Sequence, residues 1–154
     1  MLTKEEQKEI QHEFEHYETK QATCIEALKI VQKHRGWISD DAVKDIASFL
    51  EMSPDEVDSV ASFYNLIFRH PVGRNVILLC DSVSCWIMGS TSIGEYIKQK
   101  LGIDYGQTTE DERFTLLPIA CLGTCDHAPA MMINQDTHRN LTPEKIDEIL
   151  EKYK

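Results

Sequence analysis

Through the first half of the chain, apolar residues recur three and four positions apart, the period of helices with one buried face. Thr3-Lys4-Glu5-Glu6 pairs a capping hydroxyl with a glutamate three positions on, which predicts a capping box and a helix to about Tyr17. A second helix is predicted from about Gln21 to His34, where Ile25, Leu28 and Val31 share a face and Gly36 ends the run. Ser39 or Asp40 caps a third, through Leu50. Ser53-Pro54-Asp55-Glu56 starts a fourth, whose apolar stripe is Val57, Val60, Tyr64 and Ile67. The pattern predicts a small helical bundle with that stripe and Trp37 in its core.

The period changes at His70-Pro71-Val72-Gly73, so a boundary is expected there, between a bundle at residues 1–72 and a second domain at 73–154. Asn75 to Cys80 is a continuous apolar run, the mark of a strand buried on both faces. Ile93 to Leu101 reads as a helix stopped by Gly102, and Arg113 to Pro118 and Ala130 to Asn134 as two further strands. His138 to Leu141 is a candidate short edge strand, and Thr142-Pro143-Glu144-Lys145 caps a last helix to about Tyr153. Strand, helix, strand, then a strand pair and a helix predict a small mixed sheet flanked by helices. The fold class is therefore α+β overall, with an α/β second half.

Composition narrows this little. The chain has 154 residues, of which 42% are apolar, enough for one ordinary domain or a small domain with a helical extension. Charge says more: 26 acidic against 16 basic residues give a net of −10, which repels a phosphate backbone and excludes nucleic acid as the expected partner. The acidic balance reads as solubility, or as patches that face a basic protein. The N-terminus is polar from the start, and the longest aliphatic run, Val76-Ile77-Leu78-Leu79, falls far short of the roughly 20 residues a membrane span needs. The expected setting is cytosolic, without direct membrane insertion, or peripheral on a larger assembly.

The chemistry lies in the cysteines. Their odd number, five, does not suit a fully paired disulfide framework. Cys80-x4-Cys85 and Cys121-x3-Cys125 each follow a predicted strand. Two loops leaving neighbouring strands at the same edge would bring four thiols together. Thiolates are soft donors that select iron–sulfur clusters or zinc. A [2Fe–2S] cluster asks for two thiolates on each of two tetrahedral irons, which two such loops supply. Zinc more often takes shorter spacings, yet spacing alone leaves a zinc-stabilised interaction module open.

A dithiol enzyme would need Cys-x-x-Cys, which is absent. Cys125-Asp126-His127 has the Cys-x-His half of a Rieske pattern, but the other loop lacks a histidine, so His127 reads as a surface residue or a neighbour of the site. The segments Asp81-Ser82-Val83-Ser84 and Leu122-Gly123-Thr124 offer backbone N–H groups to offset an anionic cluster, with Gly123 permitting close approach. Trp86, directly after Cys85, is placed either to shield the site or to touch a partner. Cys24 reads as a small buried hydrophobe, His12 and His16 as part of a solvated face, and Met131-Met132 as sheet core. No nucleotide-binding glycine pattern and no nucleophile–base pair is present, so no complete active site is expected in this chain alone.

These residues closely resemble the E-subunit family of bacterial NADH:quinone oxidoreductase, respiratory complex I. The resemblance spans nearly the whole chain. It rests on Glu26-Ala27-Leu28-Lys29-Ile30-Val31-Gln32-Lys33-His34-Arg35-Gly36-Trp37, Ala61-Ser62-Phe63-Tyr64, Cys80-Asp81-Ser82-Val83-Ser84-Cys85, Cys121-Leu122-Gly123-Thr124-Cys125, Pro129 and Met131-Met132-Ile133. It implies a thioredoxin-like ferredoxin fold for the second domain and one [2Fe–2S] cluster on Cys80, Cys85, Cys121 and Cys125. It also implies a partner subunit that binds FMN and NADH, other peripheral-arm subunits beside it, and a place on the cytoplasmic side of the inner membrane. The cluster would exchange electrons with that flavin. Related subunits in NAD-linked formate dehydrogenases and hydrogenases are the alternative setting.

Overall fold

The computed structural model describes residues 1–153. The chain divides into two compact units, Met1–Pro71 and Val72–Lys154. The first consists of helices α1 (Lys4–Glu13), α2 (Cys24–Arg35), α3 (Asp40–Leu50) and α4 (Pro54–Phe63), with 3-10 turns at Phe14–His16 and Gln21–Thr23.

The local starts follow their sequence signals. Thr3 and Ser53 form complete capping boxes with Glu6 and Glu56, and the Ser39 hydroxyl accepts from the Ala42 N–H. The buried faces of Ile10, Leu28, Val31, Ile46, Leu50, Val57 and Ala61 meet in one core, and Cys24 lies within it. Glu6 is fully buried there, but it is held by Arg35, whose Nε and Nη2 each donate at 2.7 Å, and by the Thr3 N–H at 2.7 Å. That fork, chiefly, depresses the Glu6 carboxyl from an ordinary 4.5 to about 2.

Two expectations for this unit are corrected. α4 stops at Phe63: Tyr64 is extended and exposed, while Ile67 is buried but lies beyond the helix. The Gln32 side chain accepts from the Phe68 N–H at 2.6 Å, and the Ile38 N–H donates to the Phe68 carbonyl at 2.8 Å. Arg69 adds bonds to Asp58, Asp40 and the Ile38 carbonyl. These tertiary bonds hold the segment in a non-helical path, overriding its helical period. Trp37 is only half-buried and stands outside the core cluster.

The second unit has a four-stranded mixed sheet in the order β2-β1-β3-β4, with β1 at Asn75–Cys80, β2 at Phe114–Ile119, β3 at Met131–Ile133 and β4 at Asp136–His138. β1 is buried at every position and pairs parallel with β2 and antiparallel with β3. The crossover from β1 to β2 carries helices α5 (Val83–Ile87) and α6 (Ser90–Leu101), and α7 (Pro143–Leu150) ends the unit. Ile77, Leu79, Ile97, Leu116, Met131, Ile133 and Ile146 form its core.

α6 packs closely because Gly94 lies there: a Cβ would come within 3.2 Å of Leu79 Cδ2. On the outer side of β2, the Leu116 N–H donates to the Gln107 carbonyl and the Gly106 N–H to the Leu116 carbonyl. Pro118, exposed farther along the same strand, has no N–H to offer that edge.

The short edge strand falls earlier than its predicted His138 to Leu141. Ile133 pairs with Asp136, so the β3–β4 turn is only Asn134-Gln135, with Asn134 at φ 55°. Such tight hairpins need a residue tolerant of positive φ, and asparagine suits that place. Its side chain also accepts from the Val76 N–H at 3.0 Å and donates to Asn75 Oδ1 at 2.9 Å.

Candidate metal centre

The parallel register Leu79↔Pro118 and Cys80↔Ile119 makes the chain leave β1 and β2 at one end of the sheet. The N–H of Asp81 donates to the Ile119 carbonyl at 3.1 Å and carries the pairing one residue past Cys80. Cys80 is the last residue of β1, and Cys85 is buried in α5 just beyond. Cys121 follows β2, and Cys125 opens a 3-10 turn through His127; both are exposed. One pair is thus set in ordered, buried backbone, and the other in an open loop.

The two pairs share one electrostatic neighbourhood. Burial, then the neighbouring Cys80 thiol, pushes Cys85 up to about 11, with Cys125 a further contribution. Cys125 is raised chiefly by the Cys121 thiol, whose sulfur lies 3.8 Å from its own, while the Ser84 hydroxyl opposes the shift. Both shifts favour the neutral thiol at Cys85 and Cys125, because bare thiolates side by side repel one another. A cationic metal core reverses that balance by displacing the protons.

Donors are already aimed at the sulfurs. The Gly123 N–H donates to Cys121 Sγ at 3.3 Å. The Ala130 carbonyl accepts from the Cys80 N–H at 3.1 Å, and the nearby Ala130 N–H opposes the rise of the Cys85 thiol. Cys80 Sγ itself lies 3.7 Å from the Ala120 carbonyl. Gly123 has φ 71°, and a Cβ there would meet no atom of the chain within 4 Å. Within the chain its role is the left-handed turn between Cys121 and Cys125.

One polar atom is left over. Thr124, between the two exposed cysteines, is buried, and its Oγ1 has no hydrogen-bond partner, alone in this among the described residues. An unpaired buried hydroxyl costs about 1–3 kcal/mol. Among the described residues no three or more His, Cys, Asp or Glu side chains are gathered to grip a single ion. The Cys121 and Cys125 sulfurs lie 3.8 Å apart, and a dinuclear core asks for two thiolates on each of its two metals. Soft donors in pairs, N–H groups aimed at them and an unpartnered hydroxyl together fit an anionic iron–sulfur group.

The other candidates separate cleanly. Cys24 lies in the helical core, where burial alone lifts its thiol to about 11. His127 is exposed, its Nε2 3.3 Å from Asp126 Oδ2. His12 and His16 stack edge to face with centroids 5.7 Å apart. Met131 is core and Met132 half-buried. Trp86 is exposed on α5 with Val83 and Ile87, and Met88 just after the helix extends this apolar face beside Cys85. The sequence signals did not reveal α5, the Ala130 N–H, the Ser84 hydroxyl or the buried Thr124 hydroxyl: α5 is a single short turn without helical period, and the rest depend on tertiary burial.

Comparison with known proteins follows the same lines. Residues 10–154 match the thioredoxin-like [2Fe-2S] ferredoxin family. The NADH-quinone oxidoreductase E subunit of Escherichia coli (strain K12) is 55% identical over 153 residues, covering 99% of this chain and 92% of that protein. The protein of the same description from Pseudomonas aeruginosa is 50% identical over 153 residues, with the same two coverages of 99% and 92%. Among solved structures, an NAD+-reducing [NiFe]-hydrogenase in the air-oxidized state superposes with a TM-score of 0.73 at 28% identity, covering 85% of this chain and 22% of that one. The chain belongs to the thioredoxin-like [2Fe-2S] ferredoxin family, whose one [2Fe–2S] cluster is its cofactor.

Proposed function

We propose that this chain is the electron-transfer subunit of an NADH:quinone oxidoreductase, holding its [2Fe–2S] cluster on Cys80, Cys85, Cys121 and Cys125. The observation that carries the reading is the parallel β1–β2 register, which delivers both cysteine pairs to one end of the sheet. The NADH-quinone oxidoreductase relatives, matched over 99% of the chain, support the setting. The likeness to the hydrogenase is at 28% identity, so it supports a shared electron-transfer role more than a shared complex.

When bound, the cluster supplies one-electron storage, whereas hydride chemistry moves two electrons, so the reaction needs a flavin that the partner binds. This chain's residues do the rest. The four thiols would hold the cluster as thiolates, their protons released to solvent, and the Gly123 and Ala130 N–H groups, with the Ser84 hydroxyl, would offset the negative charge that results. Val83, Trp86 and Ile87, with Met88 just after the helix, give α5 an exposed apolar face beside Cys85, of the kind that marks a protein contact. We place the flavin- and NADH-binding subunit there, against the face that adjoins Cys85. Further peripheral-arm subunits complete the assembly. No helix of the described residues is long and apolar enough to cross a membrane, consistent with a peripheral place, which we assign to the cytoplasmic face.

The test is analysis of anaerobically purified full-length chain. Iron and acid-labile sulfide in equal amounts, with an EPR signal on one-electron reduction, are expected; zinc without sulfide would end the reading. Cys→Ser at Cys80, Cys85, Cys121 or Cys125 is expected to alter or abolish the signal, and Cys24→Ser to leave it unchanged. An undisturbed signal in Cys121→Ser would break the ligand assignment. Isolation of the native complex distinguishes a quinone reductase from an NAD-linked formate dehydrogenase or hydrogenase by its co-purifying subunits.

A further inference from the structure

The Thr124 side chain has no task within the fold. It is 6% exposed, and its Oγ1 is the one buried side-chain oxygen or nitrogen among the described residues without a partner. Other buried polar side chains are matched: Glu6 binds Arg35, Asn75 binds Asn134, Thr115 receives the Gly73 N–H, and Thr23 donates to the Lys20 carbonyl. Against that background one hydroxyl stands without a partner, and it lies between the two exposed cysteines.

Its backbone is already committed. Thr124 has φ −123° and ψ 45°, the residue before the Cys125–His127 turn, and its carbonyl accepts from the His127 N–H at 3.0 Å. The hydroxyl is therefore carried at a fixed place in the loop. Valine has nearly the same shape without the desolvation cost, so a buried threonine with no partner is a poor choice for packing alone.

We infer that the Thr124 hydroxyl donates its hydrogen bond to the anionic iron–sulfur–thiolate group held by the Cys121–Cys125 loop, and so helps set the reduction potential. This rests on the ligand assignment proposed above. Thr124 is a tuning residue rather than a ligand. The group it faces is formally doubly negative when oxidised and triply negative when reduced, and a donor stabilises the reduced form more. The hydroxyl adds to the Gly123 N–H, which already reaches Cys121 Sγ at 3.3 Å.

The experiment uses the full chain loaded with its cluster. EPR-monitored redox titration measures the potential, and electron–nuclear double resonance in H2O and D2O counts exchangeable protons coupled to the reduced spin. Thr124→Val is expected to make reduction about tenfold less favourable at a fixed poise, a shift of about −59 mV for one electron, and to remove one exchangeable coupling. Thr124→Ser is expected to restore both.

An unchanged potential and coupling pattern in a loaded Thr124→Val chain would overturn the inference and leave a bound water as the hydroxyl's partner. If Thr124→Val does not retain the cluster, Thr124→Ala and Thr124→Ser decide. A hydrogen-bonding role separates them, with Ser near wild type; a packing role shifts both together and overturns the inference. The two levels fail differently. A wrong ligand assignment appears as an intact signal in Cys121→Ser, whereas a wrong role for Thr124 appears only in the potential and proton couplings of a cluster that is still bound.

Discussion

The two units of this chain treat their polar interiors differently. The helical unit is closed on itself: Glu6 is fully buried yet ends on Arg35 and Thr3, and Cys24 is a lone thiol packed among Ala27, Leu28 and other apolar neighbours. The sheet unit is left open at one end, with four thiols, N–H groups directed at sulfur and a hydroxyl without an acceptor. Burial lifts both Cys24 and Cys85 to about 11, yet only Cys85 has other thiols as neighbours. A raised thiol by itself therefore says nothing about metal binding. What marks the site is unfinished bonding gathered in one place.

The largest effect to probe that contrast is thiol access in the metal-free chain. Cys121 and Cys125 are exposed, whereas Cys24, Cys80 and Cys85 are buried. Alkylation under native conditions is expected to modify the first two at least about 100-fold faster than the other three, read by peptide mass spectrometry. Fast reaction at Cys85 would show that the buried half of the site forms only with metal.

The closed unit breaks at Glu6. Its carboxyl sits at about 2 in the fold against an ordinary 4.5, so it is the ionised form that the fold favours. That stabilisation is complete above about pH 4.5 and is lost as the pH falls toward about 2. Glu6→Gln is expected to cost on the order of 2 kcal/mol at pH 7 and much less at pH 3. Urea unfolding of both proteins at the two pH values measures this, and the cluster's visible spectrum should not change. A cost independent of pH would mean the loss is one of packing rather than of charge.

A smaller effect tests the open unit. Removing iron and sulfide from the loaded chain is expected to raise amide exchange in β1 and β2 about tenfold, while α1 to α4 keep their protection. Equal loosening in both units would abolish the distinction. The smallest effect concerns Gly123, at φ 71°. In the metal-free chain Gly123→Ala meets no atom within 4 Å, so only the left-handed backbone is penalised, by about 1 kcal/mol in thermal unfolding.

Much of this was legible in the sequence because its causes are local. The caps at Thr3, Ser39, Ser53 and Thr142 need only a hydroxyl and the backbone N–H three residues on, and all four are formed. The apolar run Asn75 to Cys80 marked a buried strand, and the α6 stop at Gly102 follows from its φ of 67°. What was not legible depends on distant partners. Tyr64 leaves its helix because the following segment is tied through Phe68 to Gln32 and Ile38 and through Arg69 to Asp40 and Asp58. The edge strand moved because Asn134 makes a tight turn that a strand pattern alone does not disclose. At the site, the cysteines announced themselves by spacing, but the burial that sets Cys85 apart from Cys125, and Thr124 apart from an ordinary loop threonine, belongs to the folded chain.

The outer margin of β2 has a consequence for assembly. Gly106 and Gln107 already occupy the hydrogen-bonding groups of Leu116 on that side, and Pro118 has no N–H where the margin continues toward Cys121. A foreign strand therefore finds few free groups along the β2 margin at the end that bears the cysteines. A companion protein meeting that margin has to engage it by side-chain complementarity, and the same blunting disfavours strand-to-strand joining of two copies through β2.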